Sequence, residues 1–342
     1  MEDTGSAMII VLAIFSVLLV PGNLVFANLL VMMVKGERGL VWKDHRLWLV
    51  MWLGWALVGV LMSGHSEMAF YGYGLRMEGW VSWAIIMRLA WLTWEGNGEG
   101  FLWMGLVGLA LSWGLGWMVG EEARMTRVSM AAFSAMLGCV LWNSRRWLAI
   151  MMIPCLLWAQ SRAAIVGLVA GIIVSEIFRR DWKPNKKIFW IIPAILVIAL
   201  SPLGRKFRDL NYEGIGKGSR IAWLIQGCDL IKEKPIQGFG LDTLKFHLKP
   251  ANGMMTQQGA VIDRTHNVIM DMTLQTGIVG LFMLCVVGVR CVDKVWDHPT
   301  NLNLACVSAL TCWLVIGFFN PQGIPAHLLM CQMVFGIRGK EE

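Results

Sequence analysis

The sequence predicts an all-α polytopic membrane protein of about eleven (10–12) transmembrane helices, with one long, partly helical loop late in the chain. Three observations carry this. Of 342 residues, 56% are hydrophobic and only 15% charged, against about 25% charged in soluble domains. The mean hydropathy is +0.58. The apolar residues arrive in runs, and Ala7–Val34 contains no charge at all. A bilayer core needs about 20 apolar residues in a helix, and backbone groups in lipid must bond internally, so such runs are helices.

Helices are expected at 7–34, 47–62, 79–94, 101–119, 128–142, 147–160, 161–178, 188–203, 266–290, 304–320 and 322–337. The chain thus divides into 1–203 (eight helices), 204–265 (the long loop) and 266–342 (the C-terminal helices). Pro21-Gly22 kinks the first run. The N-terminus lacks a basic n-region and a small-residue cleavage site, so that run is expected to stay in the membrane. Tryptophans near run ends, such as Trp42, Trp94, Trp142 and Trp182, read as interfacial anchors. The eight cysteines fall mostly inside apolar runs without metal-ligand spacing, so they read as small hydrophobes.

Basic short loops set the orientation. Lys35–Arg46, Arg145-Arg146 and Arg179–Lys187 should be cytoplasmic. The start MEDTGSA has two acids and no base, which suits the outside. The 204–265 loop is then extracytoplasmic. It carries ten Lys/Arg against six Asp/Glu, an excess of four out of +7 for the chain. A basic domain beside the outer membrane surface points to an anionic ligand such as a phosphate-bearing lipid; nothing points to nucleic acid. Within the loop, Ile221, Leu224, Ile225, Cys228 and Ile231 share one face at helical spacing. Ser219 suits an N-cap and Pro235 a stop. So 219–234 reads as an amphipathic helix on the bundle or at the membrane surface, and Gln237–Gly240 as a tight turn.

Three stretches then occur in order: SRAAIVGLVAGIIV (161–174), GSRIAWLIQGCDLIKEKPIQGFGLDTLKF (218–246) and THNVIMDMTLQTGIVGL (265–281). Together, over about 145–290, they resemble the O-antigen ligase and O-antigen polymerase superfamily of bacterial envelope glycosyltransferases. That resemblance implies a multi-pass inner-membrane enzyme with its active site facing the periplasm. Its donor would be a glycan on undecaprenyl diphosphate, and its acceptor lipid A core or a growing glycan. The family's two arginines match Arg162 and Arg220, and its histidine matches His266. Two departures stand out: the family often has Glu where Gln275 stands, and it usually has about twelve helices with the N-terminus inside.

The residue types fit that chemistry on their own terms. A diphosphate leaving group mainly needs its oxygens stabilised. Arginine binds phosphate in bidentate fashion and stays charged. A histidine titrates near working pH and can take the acceptor's proton. With two arginines on the diphosphate neither metal nor other cofactor is required. Asn267 and Asp271 lie beside His266 and are expected to orient it, with Lys217 a further supporting residue. Tyr212 and Arg264 read as solvated loop residues, His65 and His247 belong to no motif, and His327 falls near the C-terminus. The alternative from another class is a transporter or flippase of a polyanionic or lipid-linked substrate. It would want paired ionisable residues near mid-membrane and broken helices in matching halves. Glu176 and Asp271 fall near run ends, and the halves show no repeat.

Overall fold

The computed structural model describes residues 45–72, 78–95, 124–144, 146–150, 152–159, 161–179, 220–248, 264–319 and 324–338. The helices expected at 7–34, 101–119 and 188–203, together with Tyr212, Lys217 and the Ser219 cap, lie outside them. In chain order the helices are α1 (His45–Leu61), α2 (Ser66–Tyr71), α3 (Trp80–Glu95), α4 (Arg124–Ser144), α5 (Arg146–Ile150), α6 (Met152–Ala159), α7 (Arg162–Phe178), α8 (Arg220–Glu233), α9 (Val268–Asp297), α10 (Asn301–Gly317) and α11 (Ile324–Gly336). A 3-10 turn, Leu244–Phe246, follows α8. Among the described residues there is no strand.

By length and composition, α9 alone among the described helices is long and apolar enough to cross a membrane. Its 30 residues are interrupted at Gly277, where the backbone leaves helical geometry. Apolar helices of 10–17 residues surround it, α1 and α10 among them. The described residues therefore establish an all-helical bundle and leave the total of eleven spans undecided.

Small residues let the bundle close. A Cβ at Gly167 would stand 2.9 Å from the Cys312 carbonyl oxygen and 2.7 Å from Ile316 Cγ1. One turn on, a Cβ at Gly171 would collide with the Ser308 carbonyl. So α7 and α10 run antiparallel with their backbones almost touching, the small-residue packing that membrane helices use in place of a hydrophobic drive.

The two ends of the bundle differ in kind. At one end, Trp142 Nε1 and Arg146 donate to Glu176 Oε1 at 3.0 and 3.1 Å, and Arg179 donates to Asn143 Oδ1 at 3.0 Å. There His45 Nε2 donates to the Val334 carbonyl at 2.7 Å and Arg46 to that of Ile337 at 3.2 Å, covering carbonyls that α11 leaves open at its end. Asn303 closes the same end by bonding the Arg338 N–H and C=O. At the other end sit the α1 C-terminus, α2, the N-termini of α3, α9 and α11, and the loop after α8. The antiparallel pairing of α7 with α10 puts Arg162 at this loop end too.

The amphipathic helix exists as expected, and Ile231 of the expected face packs against the bundle, but the closest contact is made by residues that the periodicity does not mark. Gly227 and Leu230 are buried, with Gly227 against Met270 of α9, while Ile225 is 61% exposed and Cys228 is also exposed. The absence of a side chain at Gly227 permits the close approach. A hydrophobicity pattern scores that position as nothing.

Candidate functional site

The site is built on a break in α9. Gly277 has φ 68 and ψ −178, a left-handed backbone that glycine takes without a Cβ penalty. The break frees polar groups that lipid would leave unsatisfied, and four of them have partners in the docked loop and α1. The Leu274 carbonyl accepts from Phe239 N at 2.8 Å and the Gln275 carbonyl from Gly240 N at 3.0 Å. The Thr276 carbonyl accepts from Trp55 Nε1 at 2.8 Å, and Ile278 N donates to the Pro235 carbonyl at 2.8 Å. Pro235–Gly240 is thus docked backbone to backbone on α9. Gly238 and Gly240, both at positive φ, make the expected tight turn. The Gln275 side chain accepts from Asp242 N at 3.3 Å; where the family often has an acid, this amide holds the loop.

Two turns up α9 the chain enters through Arg264, Thr265 and His266. Arg264 is not the solvated loop residue its sequence neighbourhood suggests. It is 5% exposed, and its guanidinium donates to Glu78 and, at 3.5 Å, to Asp242 Oδ1. Glu78 also has His327 Nε2 at 3.7 Å, with the His327 ring set against Trp83 and Trp313. Thr265 donates from both N and Oγ1 to Asp271 Oδ1, each at 2.8 Å. His266 follows with φ 62, a region non-glycine residues seldom occupy. Its ring stacks on Trp223 of α8, centroids 5.2 Å apart and planes at 23°, with Nδ1 buried.

The supporting residues expected from sequence divide. Asn267 does not reach towards the imidazole: its Oδ1 accepts from Ile269 N and Met270 N, both at 3.1 Å, and caps α9. Asp271 acts one residue upstream of His266, through Thr265. Arg220 occupies the first position of α8, about 4.5 Å along the axis from Trp223 at 1.5 Å per residue. Arg162 follows the N-cap Ser161, whose hydroxyl accepts from Ala164 N at 3.3 Å. Glu78 and Asp242 carry no expectation from sequence, and His327 is set aside by its place near the C-terminus, because nothing local marks any of them. The described residues hold no group of three His, Cys, Asp or Glu able to ligate a metal.

Along α9 lies an apolar cavity of about 490 Å³, walled by Trp52 of α1, Val268, Met272 and Leu284 of α9, Trp313 of α10 and Val334 of α11. Its wall starts at Val268, two residues after His266.

No curated protein matches the chain. Residues 147–285 match the family model described as O-Antigen ligase. The match runs from α5 into α9 and takes in Arg162, Arg220, Arg264 and His266. Over this segment, with the broken helix and docked loop it folds into, the chain is similar to the O-antigen ligase and O-antigen polymerase superfamily.

Proposed function

We propose that the protein transfers a glycan from undecaprenyl diphosphate to a sugar hydroxyl of lipid A core or of a growing glycan, at the periplasmic face of the inner membrane. The observation that carries this is the placement of His266. A histidine in a strained backbone conformation, stacked on the helix that Arg220 opens, stands where an apolar cavity begins. Strained residues persist only where their surroundings over-determine them, and they cluster at functional sites. The cavity suits the isoprenoid part of the donor, and the polar segment around His266, next to it in sequence, suits the diphosphate and sugar.

In this reading the acceptor hydroxyl oxygen attacks the anomeric carbon. His266 takes the hydroxyl proton, and with Nδ1 buried the receiving atom is Nε2. The anomeric C–O bond breaks, and undecaprenyl diphosphate departs with the bonding pair. Arg162 and Arg220 stabilise the charge gathering on its oxygens, so the step requires no metal. The outward orientation is supported by Arg46, Arg146, Arg179 and Arg338 meeting at the opposite end, as cytoplasmic arginines do.

A broken helix is also a transporter feature. Here the Leu274, Gln275 and Thr276 carbonyls at the break already accept from Phe239, Gly240 and Trp55, which favours a fixed docked loop over an ion path. The test is His266→Ala in proteoliposomes with synthetic lipid-linked donor. Transfer should fall about 10²–10⁴-fold, the range a general base supplies, while the donor still binds. Undiminished transfer sinks the proposal. The glycan profile of a deletion strain then separates the two activities: loss of all polymer on lipid A core means ligase, and a single remaining repeat unit means polymerase.

A further inference from the structure

We propose that Arg264 is a positioning residue that holds His266 in its strained conformation; its catalytic consequence rests on the function proposed above. Arg264 lies two residues before His266 and is the point where three chain segments meet. Its guanidinium joins Glu78, on the approach to α3, and Asp242, in the turn docked on α9. All three side chains are at most 6% exposed. The next residue, Thr265, is fixed by two bonds to Asp271, and Asn267 is fixed by capping α9. His266 is therefore gripped on both sides, with Trp223 against its ring. That grip is what a left-handed histidine requires. Arg264 is not itself offered to the donor, because its guanidinium is buried and engaged by two carboxylates. Charge alone does not explain it either. A buried ion pair is poor evidence of stabilisation, whereas a rigid fork joined to two separate elements sets a position.

Arg264→Met alone leaves Glu78 and Asp242 buried without their cation and risks the fold. The main variant is therefore the neutral triple, Arg264→Met with Glu78→Gln and Asp242→Asn. Two readouts are taken on purified protein. The first is the rate at which diethyl pyrocarbonate modifies His266, followed by mass spectrometry, with His298 at the far end as reference. The second is transfer kinetics. We expect modification of His266 to speed up several-fold while His298 is unchanged. With it, kcat should drop about 10²-fold, the scale of a displacement of about 1 Å, at an unchanged KM for the donor. Arg264→Lys should recover part of kcat, and it carries the same test if the triple does not accumulate. Unchanged modification of His266 overturns the inference. Faster modification with unchanged transfer upholds the positioning role and removes His266 from the chemistry instead.

Discussion

The two ends of the bundle use the same residue types to opposite purposes. At the basic end, Glu176 pairs with Arg146 at 3.1 Å, with side chains 25% and 34% exposed. Such pairs contribute about 0–1 kcal/mol, and their arginines serve as much to hold that end in the aqueous interface. At the loop end, Arg264 and Glu78 are 6% and 3% exposed. A buried pair has shed its water, and removing one partner costs about 3–5 kcal/mol. One end is tolerant; the other is exacting and holds His266 in its geometry.

The sharpest way to break this contrast lies within α9 itself. At Gly277, in the half that receives the docked turn, a Cβ would run into the Ile236 carbonyl, at a φ that side chains rarely adopt. Gly288, in the other half, has nothing within 4 Å of its would-be Cβ. Gly277→Ala should cost upwards of about 4 kcal/mol, the range of severe lesions, and folded protein in the membrane should be largely lost. Gly288→Ala should be neutral or gain about 0.5–1 kcal/mol from helix propensity. Fluorescence-detected size exclusion and thermal unfolding in detergent measure both. Equal behaviour of the two variants would mean that the docked turn is dispensable.

Next come the arginines. Arg162→Lys and Arg220→Lys keep the charge and lose the bidentate fork, so transfer should fall about 10²-fold, as for loss of one oxyanion donor. Arg146→Lys, at the tolerant end, should retain nearly full transfer at equal protein level. Full activity in both of the first two variants would refute a diphosphate clamp.

Sidedness follows. Asn252→Cys, in the long loop, should label with an impermeant maleimide in intact spheroplasts. Ser144→Cys, at the basic end, should label only after lysis. The reverse pattern would turn the bundle over and remove the periplasmic assignment.

The sequence makes α9, α10 and the helix after residue 219 legible because each depends on local pattern: an apolar run, or a run ended by Pro235. His266 is legible through its motif. The partners that restrain it are not. Glu78 and Arg264 are 186 residues apart, and no local rule pairs them, so Arg264 reads as one more cation in a basic loop. The closest contact of α8 with α9 escapes for a related reason, since it is made at Gly227 and glycine carries no hydrophobic signal. Gly277 sits in the quoted motif, yet its left-handed backbone depends on Pro235–Gly240, forty residues upstream, supplying the missing hydrogen bonds. Local chemistry announces the elements; the exacting end is assembled from long-range contacts.

The smallest expected effect concerns the edge of the docked turn, where His247 packs beside Phe239, centroids 4.1 Å apart, and 6.0 Å from the ring of His65. Burial lowers the His247 pKa below its ordinary 6.5, with His65 and Lys234 adding to the shift and Glu233 opposing it. In the interval below 6.5 the unfolded chain therefore binds a proton that the folded chain resists. Stability contributed at this position rises with pH there, so acid should loosen the turn. The wild-type melting temperature should fall more steeply between pH 7 and pH 5 than that of His247→Gln, which cannot titrate; at neutral pH the two should nearly coincide. Because His247 is only partly buried, solvent screens part of the effect, and the difference should be modest beside that of Gly277→Ala. Parallel slopes would show that the turn's edge tolerates charge, and would confine the exacting region to the Arg264 cluster and the break in α9.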